Sequence, residues 1–137
     1  MKLTSLTLQQ AFDLGLNGIR AQRYQQSVRT WPNANTCAYR GVGGLKCWIG
    51  HCIPDSVYDV SLEGTSIDRW VTDQRQAYSG LRSLFVGHFP SALRKLQSLH
   101  DQLLQADRPG RIEAFEAGCQ AFAREYYLTY TAPKESP

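Results

Sequence analysis

Residues 37–55 read CAYRGVGGLKCWIGHCIPD and hold three of the chain's four cysteines, a glycine-rich turn, a histidine and a Pro-Asp pair. How this stretch folds decides the class of the chain. Its glycines supply the positive φ angles that tight hairpin turns need. A two-residue loop at Val42 and Gly43 would set Cys37 opposite Trp48 and send Cys37 and Cys47 to opposite faces. A three-residue loop, Gly41 to Gly43, instead pairs Cys37 with Cys47 and Tyr39 with Leu45, gathering Cys37, Tyr39, Leu45, Cys47 and Ile49 on one apolar face. The pattern therefore predicts a β-hairpin over about residues 37–49 with its cysteines inward. Ala38, Arg40, Lys46 and Trp48 share the outer face, with His51 at its edge. Two cations beside an indole suit contact with a carboxylate, a phosphate or a nucleic-acid base, so Arg40, Lys46, Trp48 and His51 are the expected partner-binding residues. A solvated basic face, with Trp48 packed on a neighbouring loop, is the structural alternative.

On either side of the hairpin the periodicity is helical. Thr7 and Gln10 form a capping-box pattern, and Leu8, Ala11, Phe12, Gly15 and Ile19 make one stripe, predicting a helix from Leu8 to Gln25. The stretch 27–36, with Pro32, Asn33 and Asn35, reads as a loop in which Trp31 plugs the core. Pro54 disfavours helix at Ile53 and opens a short helix carrying Val57 and Tyr58. Thr65 or Ser66 caps a segment with Ile67, Trp70 and Val71 at helical spacing. Leu93, Leu96, His100 and Leu103 predict a helix over 91–105, ended by RPG at 108–110. Ile112, Phe115, Cys119, Phe122 and Tyr126 form the stripe of a last helix, with Arg111, Glu113, Glu116, Gln120 and Arg124 off it. The expected fold is thus α+β and mainly helical: a single compact domain over 1–130 with one embedded β-hairpin, followed by a flexible tail over 131–137.

With 137 residues, one domain is the natural count. A net charge of +3 is too small to demand nucleic acid and argues against an acidic DNA mimic. No secretory signal or membrane-length apolar run is evident, which points to the cytoplasm, where thiols stay reduced.

The chemistry-bearing residues give weak signals. Cys37, Cys47 and Cys52 with His51 have zinc-ligand chemistry, but the C-x9-C-x4-C spacing lacks the C-x2-C knuckle, and small buried core cysteines fit the pattern better. GVGGLK feeds a strand, whereas a phosphate loop feeds a helix. A catalytic Cys52 needs a base, and His51 next to it points the other way on a strand; His88 and His100 depend on the fold. His100 with Asp101 has acid-base chemistry but sits on a leucine stripe. Glu63 stands alone, without the second carboxylate of a glycosidase. Neither an enzyme, a metal nor another cofactor is expected.

Cys37, Tyr39, Arg40, Lys46, Cys47, Gly50, Ile53, Pro54, Asp55, Tyr58, Glu63 and Gly64, with LQQAFD at 8–13 and LQSLHD at 96–101, resemble a group of small proteins carried by tailed bacteriophages and prophages. The resemblance covers residues 8–64 and, more loosely, 93–101. It brings no activity and no functional residue; what it implies is context. Small phage accessory proteins act by stoichiometric binding to a host component, which makes a host protein or protein–nucleic acid complex in the bacterial cell the implied partner, and an anti-phage system such as CRISPR-Cas the implied target. A nucleic-acid-binding module using the same basic-aromatic face is the second reading, and an enzyme or metal protein centred on Cys37, Cys47 and Cys52 the third. Exposed aromatics would equally serve a homodimer.

Overall fold

A computed structural model describes residues 5–31, 34–63, 65, 67, 78–85, 90–103 and 109–133, with the stretch 29–37 and residue 103 as backbone only. The segment holding Trp70 and Val71, the Trp31 and Cys37 side chains and His88 lie outside that description. The chain is mainly helical.

Helix α1 spans Leu8–Ala21 and starts at the expected capping box: Thr7 Oγ1 accepts from the Gln10 amide (3.0 Å) while Gln10 Oε1 accepts from Thr7 N–H (2.8 Å). It ends four residues before the expected Gln25. Arg23 and Tyr24 take positive φ, and the Tyr24 amide reaches back to the Ile19 carbonyl, closing the helix end. A short antiparallel ribbon follows, β1 (Val28–Trp31) paired with β2 (Ala34–Cys37).

The embedded hairpin over 37–49 does not form. Cys37 lies opposite Val28, so it is not the partner of Cys47. Only one bridge, Arg40 to Lys46, joins the two sides of the glycine turn, which carries a 3-10 turn at Val42–Gly44 with Gly43 and Gly44 at positive φ. The chain then enters helix α2, Trp48–Cys52. A strand would have sent Trp48 outward and Ile49 inward. The helix turns Trp48 and Cys52 to one side, where the Trp48 Nε1–H (3.1 Å) and the Cys52 thiol (3.4 Å) both meet the Ala11 carbonyl of α1. Cys47 Sγ caps this helix, accepting from the Gly50 amide at 3.4 Å, and Gln97 Oε1 accepts from the Ile49 amide at 3.1 Å. Pro54 opens a turn in place of the expected helix: the Val57 and Tyr58 amides both bond its carbonyl.

Helices α3 (Ser79–Leu84), α4 (Pro90–Leu103) and α5 (Arg111–Glu125) follow among the described residues. The core is one cluster joining α1, α2, α3, α4 and α5. Trp48 is at its centre, fully buried, with its ring 5.7 Å from Phe12 and 5.9 Å from Phe115, while Phe12 stacks on Phe122 at 5.8 Å. The close approach of α2 to α1 depends on Gly15 and Gly18: a β-carbon on either would collide with the Trp48 indole or the His51 ring. Along α5, Phe115, Cys119 and Phe122 are buried as the stripe predicts, but Ile112 is partly exposed and Glu116, expected off the stripe, is buried.

Candidate functional site

The residues of 37–63 that carry charge or chemistry are mostly turned on one another. Glu63 lies at the junction: its carboxylate accepts from the Tyr39 amide (3.0 Å), the Arg40 amide (3.0 Å) and the Tyr58 hydroxyl (2.7 Å). Arg40 places its guanidinium over the Tyr58 ring, 4.2 Å from the centroid, and pairs with Asp55 at 2.6 Å. Tyr39 donates its hydroxyl to the Thr65 carbonyl at 2.6 Å. Tyr39, Arg40, Asp55, Tyr58 and Glu63 thus meet in one internal clamp that fixes the base of the glycine turn.

The expected binding face of Arg40, Lys46, Trp48 and His51 is accordingly broken up. Trp48 is in the core because its segment is helical. Arg40 and Lys46 do stand side by side across the turn, but the Arg40 guanidinium is engaged by Asp55 and Tyr58. His51 is half-buried against Gln22, whose side-chain amide holds the Lys46 backbone from both directions, donating to its carbonyl (2.7 Å) and accepting from its N–H (3.1 Å). Since that oxygen is an acceptor, the His51 ring nitrogen 2.9 Å away carries the proton.

Burial, helped by the nearby Lys46 and His100, lowers the His51 pKa to about 4. The sign follows directly. Above pH 6.5 His51 is neutral folded or unfolded, whereas between 6.5 and about 4 only the unfolded chain takes the proton, so stability falls as pH falls through that window. His51→Gln is expected to flatten this part of the profile, read from urea midpoints between pH 7 and 4.

The three cysteines whose side chains are described are packed. Cys47, Cys52 and Cys119 are buried free thiols. Desolvation raises the Cys47 pKa to about 12 and drives those of Cys52 and Cys119 up as well. Among the described residues no group of three His, Cys, Asp or Glu side chains is arranged to hold a metal ion.

Two polar networks escaped the periodicity because their members come from distant segments. His100 Nε2 accepts from the Ser27 amide at 2.9 Å, which fixes the ring proton on Nδ1, 2.7 Å from Asp101 Oδ1. The residue types suggest a hydrolase triad, but the Ser27 hydroxyl lies against the Ala38 and Leu45 carbonyls, 2.8 and 3.1 Å away, and the serine is fully buried. The arrangement ties the ribbon and the glycine turn to α4. In the second network Glu116 receives Arg20 Nη2 (2.6 Å) and the hydroxyls of Tyr24 (3.0 Å) and Tyr130 (2.7 Å). Burial alone would raise the Glu116 pKa, but these donors outweigh it and hold the carboxylate below its ordinary value.

What the clamp presents outward is the turn itself. Val42, at its tip, is 68 % exposed, and Val60, in the 3-10 turn that leads to Glu63, is 61 % exposed. Compared with family models, curated proteins and solved structures, the chain matches none.

Proposed function

We propose that the chain acts by stoichiometric binding, as a small phage- or prophage-type accessory protein that engages a host macromolecule in the bacterial cytoplasm, with an anti-phage defence system such as CRISPR-Cas as the target class. The observation supporting this reading is the anchored turn. Its base is held by Glu63, by the Arg40–Lys46 bridge and by the bond from the Gly41 amide to the Leu45 carbonyl (2.8 Å), while its apolar tip, Val42, points to solvent. A pre-ordered loop with an exposed aliphatic side chain loses little entropy on docking and fits a pocket on a protein. Burial of Trp48 removes the base-stacking aromatic from this face, which favours a protein contact over a nucleic-acid one. Among the described residues no helix is long and apolar enough to cross a membrane.

Affinity capture from a bacterial host lysate, with native mass measurement of the complex, tests the reading. The expected result is an integral ratio of chain to partner, with Val42→Asp weakening the complex at least about tenfold while the circular dichroism stays unchanged. Inactivation of the partner by substoichiometric chain would overturn the binding reading, and wild-type affinity in Val42→Asp would remove the turn from the contact.

A further inference from the structure

We propose that the cleft between α1 and α5 is a recognition site for an extended, tyrosine-bearing chain segment, occupied in this structure by the protein's own residues 128–131. The contacts are of the kind that read a peptide. Gln9 grips the backbone of Thr129 from both sides, its Nε2 donating to the carbonyl (3.0 Å) and its Oε1 accepting from the N–H (2.8 Å), as a neighbouring strand would. Arg20 Nη2 donates to the Thr131 carbonyl at 2.9 Å. Neither contact depends on which side chains the segment carries. Selectivity comes from between them: the Tyr130 hydroxyl reaches Glu116 at 2.7 Å, with its ring 5.7 Å from the Arg20 guanidinium. Leu128, two residues earlier, packs half-buried on the core. The site therefore takes an aliphatic residue, any residue and a tyrosine in extended form.

The segment is attached so that it can leave. Beyond Leu128 its hydrogen bonds go to side chains of α1 and α5, so its departure costs no backbone bond other than the Leu128 amide that closes α5 on the Ala123 carbonyl. The segment joins α5 at Tyr127, which holds φ at 58° with its side chain 97 % exposed, where the Leu128 amide closes the helix on the Ala123 carbonyl as Tyr24 closes α1 on Ile19. Gln22, just past the end of α1, holds the Lys46 backbone in the same two-way grip, so one device occurs twice, once on an internal segment and once on this one.

The test uses the full chain with Tyr130→Ala, which empties the selective subsite, and the hexapeptide Leu-Thr-Tyr-Thr-Ala-Pro, copied from residues 128–133. Isothermal titration should show the peptide binding to this variant, at least about tenfold more weakly to the wild type, where the native segment competes, and about tenfold more weakly when its tyrosine is replaced by phenylalanine. A folded variant that does not bind, or that binds both peptides equally, overturns the proposal. Should Tyr130→Ala fail to fold, amide exchange on the wild type decides. Thr129 is expected to exchange through local opening, well ahead of Cys119 on α5, and exchange of the two only together by global unfolding would show that the cleft never opens.

Discussion

Trp48→Ala is expected to cost about 3–5 kcal/mol, a large share of the roughly 5–15 kcal/mol that keeps a domain folded. The indole is fully buried between Phe12 and Phe115 and donates to the Ala11 carbonyl, so truncation opens a cavity at the meeting point of α1, α2 and α5 and removes one hydrogen bond between α2 and α1. Trp48→Phe retains much of the packing and should lose less. Urea unfolding followed by circular dichroism measures both. The outer-face position that strand alternation assigns to Trp48 predicts the opposite, a change within about 0.5 kcal/mol, as for most surface substitutions.

The second large effect is expected at Glu116. Replacement by alanine strands the Arg20 guanidinium and the Tyr24 and Tyr130 hydroxyls together, and removing one member of such a partly buried ion pair costs about 3 kcal/mol. Glu116→Gln keeps the shape and should recover part of it. Because the carboxylate's pKa is held down in the folded chain, its contribution is present in full above the ordinary glutamate value and is lost as pH falls through the folded one. The wild type should therefore lose more stability on acidification than Glu116→Gln does, with urea midpoints below pH 5 reporting the difference.

Local signals in the sequence were enough for α1, α4 and α5, since each has a long apolar stripe and α1 has its capping box. They failed over residues 37–55 because two periodicities compete there. Glycines at a turn flanked by alternating residues favour a hairpin, and a five-residue helix is too short to show a period of its own. What decided the outcome was tertiary: Gly15 and Gly18 on α1 open room for Trp48 and His51, and the Gln97 side chain caps the helix from α4. Glu63 and Glu116 were equally hard to read. Each looks like an ordinary surface carboxylate, and each binds donors from segments that only the fold brings together.

Cys47 and Cys52 of the opening stretch belong to the packing of the core. Thiol labelling under native conditions at pH 8, resolved residue by residue by mass spectrometry, tests this most directly. Cys47, Cys52 and Cys119 should be labelled no faster than the protein unfolds, as expected of buried thiols with raised pKa values. Labelling of Cys47 or Cys52 in the folded protein at the rate of a free thiol would contradict the claim and bring back a reactive cysteine centre.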